Sequence, residues 1–297
     1  MISALLAITL TAGQPALADP NGSDRAHSEV LPYAYALMAE GDYYRAIGEL
    51  KRFAFLSPGS PETFPALLSI GRAYELGGKA SDGAAWLVRL RPLAPTVPLH
   101  ASLEVELGYA RFLSGDTGSA MEALQSVLLT SNMAASLPAV QRARAQYLLA
   151  WTYLFLGQSE PAASAFHDVP LADAPALEQA ARDYANLPRK SPLLAGALSA
   201  IVPGLGHLYL GMPGIALAAF AWNALFIFAT YDAMHHHLWG VGSVLAGLEL
   251  LWYGGAVMGA VSGAEKYNRD AQLNYLDMLR GKYDVAPVSW PPSPIHD

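Results

Sequence analysis

One spacing, repeated four times, constrains this chain more than any other feature it carries. A small residue is followed seven positions on by Gly, five further by a second small residue, and four further by a bulky apolar one. Ala34, Gly41, Ala46 and Leu50 form the first copy; Gly71, Gly78, Gly83 and Leu87 the second; Gly108, Gly115, Ala120 and Leu124 the third; Ala150, Gly157, Ala162 and Phe166 the fourth. The Gly positions lie 37, 37 and 42 residues apart, and in the first two copies a proline, Pro58 and then Pro95, stands 17 residues after the Gly, where a helix has to stop. Two helices approach closely only where the facing positions are small, and Gly takes the turn between them that a side chain resists. Each unit is therefore a helical hairpin with one apolar face uncovered, and stacking on the next unit covers it.

That is the pattern of the tetratricopeptide repeat. The fold class it predicts is all-α, a tetratricopeptide-repeat helical solenoid over residues 30–187, closed by a half-unit helix from Pro175 to Leu187 that Asp173 is placed to cap. Such an array presents a groove that holds a peptide or another protein. The first repeat is crowded with Tyr33, Tyr35, Tyr43, Tyr44, Phe53 and Phe55 beside Arg45, Lys51 and Arg52. Periodicity assigns part of this set to the core. The candidate partner-binding residues are Tyr44, Arg45, Lys51 and Arg52, because Tyr and Arg are enriched where binding energy concentrates.

Composition adds a second medium. The 297 residues are 53% hydrophobic and only 14% charged, unusual for a soluble solenoid, and part of the chain is expected to sit in lipid. The net charge of −7 comes without a basic stripe, which argues against nucleic acid. With no cysteine there are no disulfides, thiolate metal sites or cysteine nucleophiles. At the N-terminus, an apolar run from Ile2 to Leu10 precedes Ala16-Leu17-Ala18, an A-x-A cleavage pattern. No basic residue precedes the run, so two readings stand, a signal peptide over 1–18 or a disordered tail. Residues 19–29 read as a linker.

The lipid-facing part begins after Lys190, since the 75 residues from Ser191 to Glu265 contain neither Lys nor Arg. Ser191-Pro192 is a helix start. The apolar segment from Leu193 to Val202 is only about 15 Å long, half the hydrocarbon thickness, and Pro203-Gly204 breaks it. Two longer segments follow, Pro213 to Tyr231 and Leu238 to Gly263, about 28 and 39 Å long. The expected membrane domain over 188–270 is thus a half-helix, an irregular Gly-rich break from Pro203 to Gly211, and a helical hairpin. Residues 264–285 continue as a charged helix that runs on from the membrane domain, and the Pro-rich tail beyond is expected to be extended and disordered; the part of both after residue 270 makes up a C-terminal region over 271–297.

Tyr43-Tyr44-Arg45-Ala46-Ile47, Lys190-Ser191-Pro192, Pro203-Gly204-x-Gly206-x-x-Tyr209-x-Gly211, and Glu249-x-x-x-Tyr253 leading to Lys266-Tyr267-Asn268-Arg269 together resemble a bacterial envelope family. Its members combine a signal peptide, a periplasmic tetratricopeptide array and a C-terminal membrane domain with a P-G-x-G-Q-x-Y-x-G segment. The resemblance covers residues 29–270 and implies no established activity. His207 stands where the family usually has Gln, and Gly254-Gly255 where a Gly-Asn pair is common.

The candidate polar residues of the membrane domain are His207, Tyr209, Asn223, Glu249 and Tyr253. A carboxylate in mid-segment is costly enough to suggest function. Glu249 either joins a proton relay with His207 or Asn223, or pins the half-helix to the hairpin by donating a hydrogen bond to broken backbone. Gly255, Gly259 and Gly263 form a smooth ridge for helix packing, within the hairpin or between copies as a homo-oligomer. His235-His236-His237 point about 100° apart on a helix end and do not converge on one ion. No nucleophile elbow, phosphate loop or H-E-x-x-H occurs, so neither an enzyme nor any cofactor is expected.

Topology pulls two ways. If the half-helix is re-entrant, the array and the tail share one side, which the basic residues around Arg189-Lys190 and Lys266-Arg269 make cytoplasmic by the positive-inside rule and a cleaved signal makes external. If residues 191–210 span as a kinked helix, the array is periplasmic and the tail cytoplasmic. The resemblance favours a periplasmic array at the bacterial inner membrane. Two functions fit: a membrane-anchored protein-interaction scaffold of the bacterial cell envelope whose repeat groove binds a partner protein or peptide, with envelope protein assembly as the process suggested, or an oligomeric channel or transport accessory whose membrane domain is the active part.

Overall fold

A computed structural model describes residues 22–287, among which every regular element is a helix. The expected signal peptide and the tail beyond Pro287 lie outside the described residues. The chain divides into two compact units, the first built from residues up to Arg182 together with those from Tyr283 on, the second from Asp183–Lys282.

The first unit is a succession of helical hairpins. They are α1 (Gly22–Ala39) with α2 (Tyr43–Leu56), α3 (Thr63–Leu76) with α4 (Ala80–Leu90), and α5 (Val97–Leu113) with α6 (Thr117–Leu128). A short α7 (Ser131–Ser136) precedes the fourth pair, α8 (Ala139–Phe155) with α9 (Ser159–His167), and α10 (Ala174–Ala185) follows. Neighbouring hairpins pack on one another, α2 on α3, α4 on α5 and α6 on α8. Helix α1 begins at Gly22, inside the stretch expected as a linker.

The repeated spacing has a direct packing cause. In the two copies that begin with Gly, the first position lies against the fourth: a Cβ on Gly71 would stand 2.8 Å from Leu87, and one on Gly108 2.6 Å from Leu124, so a methyl at either would force the leucine to shift. The second position makes the turn. Gly41, Gly78, Gly115 and Gly157 have φ of 83°, 72°, 83° and 74°, a region that penalises any side chain. In two copies the next residue caps the second helix, the Asp42 carboxylate accepting from the Arg45 amide and that of Asp116 from the Ser119 amide. The longer third interval houses α7. Between the second and third hairpins, the buried Glu104 holds Arg91 in a two-pronged pair at 2.5 and 2.6 Å.

The second unit contains α11 (Pro192–Ile201), α12 (Leu205–Tyr209), α13 (Pro213–His235) and α14 (Trp239–Lys282). Two of these, α13 and α14, are long and apolar enough to cross a membrane. Only 11% of the apolar stretch of each is buried, so their Leu, Ile, Phe and Trp side chains face outward, as lipid contact requires and a soluble core does not. Helix α14 runs unbroken through the charged residues after Gly263, about 66 Å in all.

The Gly-rich break differs from expectation. In place of irregular backbone it folds into α12, because Gly204 at φ 90° starts a new turn and Gly211 at φ 80° ends it. The two glycines of Pro203-Gly204-x-Gly206 also allow close approach: a side chain on Gly204 would run into the Ala216 carbonyl of α13, and one on Gly206 into the Ala195 carbonyl of α11. The Gly206 amide donates to the Ser199 hydroxyl at 3.1 Å.

Candidate functional site

Within the first unit, the face formed by α3, α5 and α8 carries a connected group of polar and aromatic side chains. Arg144, Tyr147 and Trp151 project from one side of α8 at helical spacing, and Glu106 and Tyr109 from α5. The Arg144 guanidinium pairs with Glu106 at 3.0 Å and lies 4.4 Å from the centre of the Tyr109 ring. Trp151 is enclosed by edge-to-face contacts with Tyr147 and Phe166, at 6.2 and 5.3 Å between ring centres.

This face is occupied by the chain's own segment after α14. The Tyr147 hydroxyl donates to the Asp284 main-chain carbonyl at 2.7 Å, and the Tyr109 hydroxyl donates to that of Ala286 at 3.1 Å. The Tyr283 ring rests 6.4 Å from that of Trp151, Ala286 packs against the apolar cluster around Tyr109 and Leu149, and Pro287 is buried. The Asp284 carboxylate accepts from the Ala286 amide, folding the segment on itself.

Burial pushes the Tyr109 hydroxyl up to about 12 and raises that of Tyr147 as well, so both remain donors at any physiological pH. Glu75, in the last turn of α3, is 6% exposed, and neither carboxylate oxygen has a hydrogen-bond partner. Burial raises its carboxyl well above the usual range, Glu106 adds to this, and Arg144 and Arg72 oppose it. Burial also raises the Asp284 carboxyl, against the Ala286 amide that favours its charge.

The partner-binding residues expected from sequence lie elsewhere, on α2. Tyr44 is 87% exposed. Arg45 pairs with Asp42 at 3.3 Å and donates to the Tyr33 hydroxyl, Arg52 pairs with Glu49 at 3.3 Å, and Lys51 stands 5.3 Å from the centre of the Trp86 ring. A signal for the other face was available. The residue directly after the first small position of each copy is Tyr35, Arg72, Tyr109 and Trp151, three aromatics and an arginine in one register.

In the second unit the motif pieces converge. The Lys190 amide donates to the Asn268 side-chain oxygen at 2.7 Å and the Asn268 side chain donates back to the Lys190 carbonyl at 2.8 Å, across 78 residues of sequence. The Lys190 ammonium donates to the Tyr209 carbonyl at 3.1 Å and lies 4.6 Å from the Tyr209 ring centre, while the Ser191 amide donates to the Tyr209 hydroxyl at 3.1 Å. The Tyr253 hydroxyl donates to the Ala200 carbonyl at 2.9 Å. Tyr253 and Asn268 thus pin the half-helix, the role expected of Glu249, whose two carboxylate oxygens bond to nothing.

Asn223 donates to the Ala219 carbonyl at 2.6 Å and its own oxygen is unpartnered. His207 is buried with Nδ1 unbonded, and a Cβ on Gly259 would be 3.4 Å from its Nε2. Gly263 similarly admits Leu210, whereas nothing approaches Gly255. The ridge therefore seats α12 over two of its three glycines. Among the described residues no group of His, Asp or Glu has the placement to hold a metal ion.

No family model, curated protein or solved structure matches this chain.

Proposed function

We propose that the protein is a membrane-anchored interaction scaffold of the bacterial cell envelope, a tetratricopeptide-type array whose α3–α5–α8 face binds a partner segment near the inner membrane. The observation that carries this reading is the capture of Asp284 and Ala286 by hydroxyl groups that donate to their main-chain carbonyls. Contacts of that kind hold a chain by its backbone, and the aromatic wall of Trp151 supplies a place for a side chain. The exposed apolar surfaces of α13 and α14 support the anchor. The A-x-A pattern after the N-terminal apolar run supports a periplasmic array.

The reading is tested in living cells. Protease added to spheroplasts should digest the array, and a photo-crosslinker on the α3–α5–α8 face should trap a defined envelope protein. That product should persist when residues 191–270 are exchanged for an unrelated two-helix anchor and disappear with Tyr109→Phe combined with Tyr147→Phe. A channel accessory would behave in the opposite way, losing its partners with the membrane domain and keeping them with the altered face.

A further inference from the structure

We propose that Tyr283–Pro287 is an internal ligand that keeps the α3–α5–α8 face closed, and that the partner of this face is a segment of the same chemistry which enters by displacing it. The segment required has an aromatic residue to rest on Trp151, main-chain carbonyls one and three positions later for Tyr147 and Tyr109, and a small residue followed by proline. This rests on the reading of that face as a peptide site and names what the site accepts and how it is gated.

Four observations point this way. Both directed hydrogen bonds end on main-chain carbonyls, so any chain that can present the same two acceptors satisfies them. The Tyr283 ring lies against Trp151, Ala286 packs in the apolar cluster and Pro287 is buried, so side-chain recognition includes apolar contacts at three of the five positions. The segment belongs to no hairpin of the array and reaches it only after the whole of the second unit. Its one carboxylate, Asp284, is half-buried and among the described residues no cation bonds to it, so the seat holds the segment by shape and backbone without a charge lock.

A ligand attached to its own receptor acts at an effective concentration of about millimolar, which a free competitor must overcome. Opening the face by removing the segment should therefore raise the apparent affinity for a competitor at least tenfold.

The test uses the full chain in detergent micelles and a fluorescent peptide of the sequence from Gly281 to Pro291. A variant ending at Lys282 should bind this peptide saturably and at least tenfold more tightly than the full chain. Because the protein has no cysteine, Val285→Cys supplies a single reporter thiol in the full chain. Its labelling should be slow, should accelerate when the unlabelled peptide is added in excess, and should accelerate about fivefold with either Tyr109→Phe or Tyr147→Phe, the loss of one hydrogen bond. Equal affinity of the full and shortened chains, or fast labelling of the Val285→Cys thiol that neither hydroxyl deletion changes, would overturn the proposal. If the shortened chain does not fold, the labelling rates alone decide. A crosslinked envelope partner that survives deletion of 283–297 but is not displaced by the peptide would overturn the internal-ligand claim and leave the scaffold reading standing.

Discussion

Glu75 is a carboxyl group placed where the folded chain gives its charge nothing to bond to. Its ordinary value is 4.5, and burial with the nearby Glu106 lifts it in the folded state. A proton is then held more tightly by the folded chain than by the unfolded one. Its contribution to stability is complete below about pH 4.5 and is lost as pH rises through the raised folded value. Glu75→Gln should remove this loss: the variant should be more stable than the parent at pH 8 by about 1–3 kcal/mol, and the two should converge toward pH 4.5 in urea titrations. A constant difference across that range would mean that Glu75 is charged in the fold. Gly108 gives a second residue-scale expectation. Gly108→Ala drives a methyl into Leu124 and should cost about 1–3 kcal/mol, whereas Gly118→Ala, with nothing within 4 Å, should be neutral or mildly stabilising in the same assay.

At the scale of elements, what was legible in the sequence is what neighbouring residues enforce. The small-to-bulky pairs Gly71 with Leu87 and Gly108 with Leu124 lie within one hairpin, so spacing alone reveals them. Pro203-Gly204-x-Gly206 was legible as a break but not as the start of α12, because the reason for those glycines is the backbone of α11 and α13, which a local reading does not see. Glu249 attracted attention by its charge, yet the half-helix is held by the Tyr253 hydroxyl, itself one of the candidate polar residues, and by Asn268, whose type alone gives no such signal. Tyr253→Phe should therefore loosen α11: amide exchange over residues 193–201 should accelerate about fivefold, in keeping with one lost hydrogen bond, while Glu249→Gln leaves it unchanged. The occupied face was illegible for a related reason. Tyr109 and Tyr147 bond to residues 177 and 137 positions away, a separation at which no periodicity operates.

At the scale of the whole molecule, the two units differ in the solvent their surfaces suit. The α13 and α14 surfaces are apolar and outward, and the protein should remain in the membrane pellet after carbonate washing and enter solution only with detergent. Release by carbonate would remove the anchor from the proposed function. The order of the units along the chain has a further bearing on how the protein is made. The second unit interrupts the first, so about 100 residues separate Arg182 from Tyr283. At a synthesis rate of about 5–20 residues per second, the ribosome needs about 5–20 s to reach Tyr283 after the array itself is complete. Throughout that interval Trp151 and the two tyrosine hydroxyls lack the segment that covers them. Closure of the face therefore waits on the synthesis of every residue of the second unit, and under the proposed function the newborn protein is open to partners until that point.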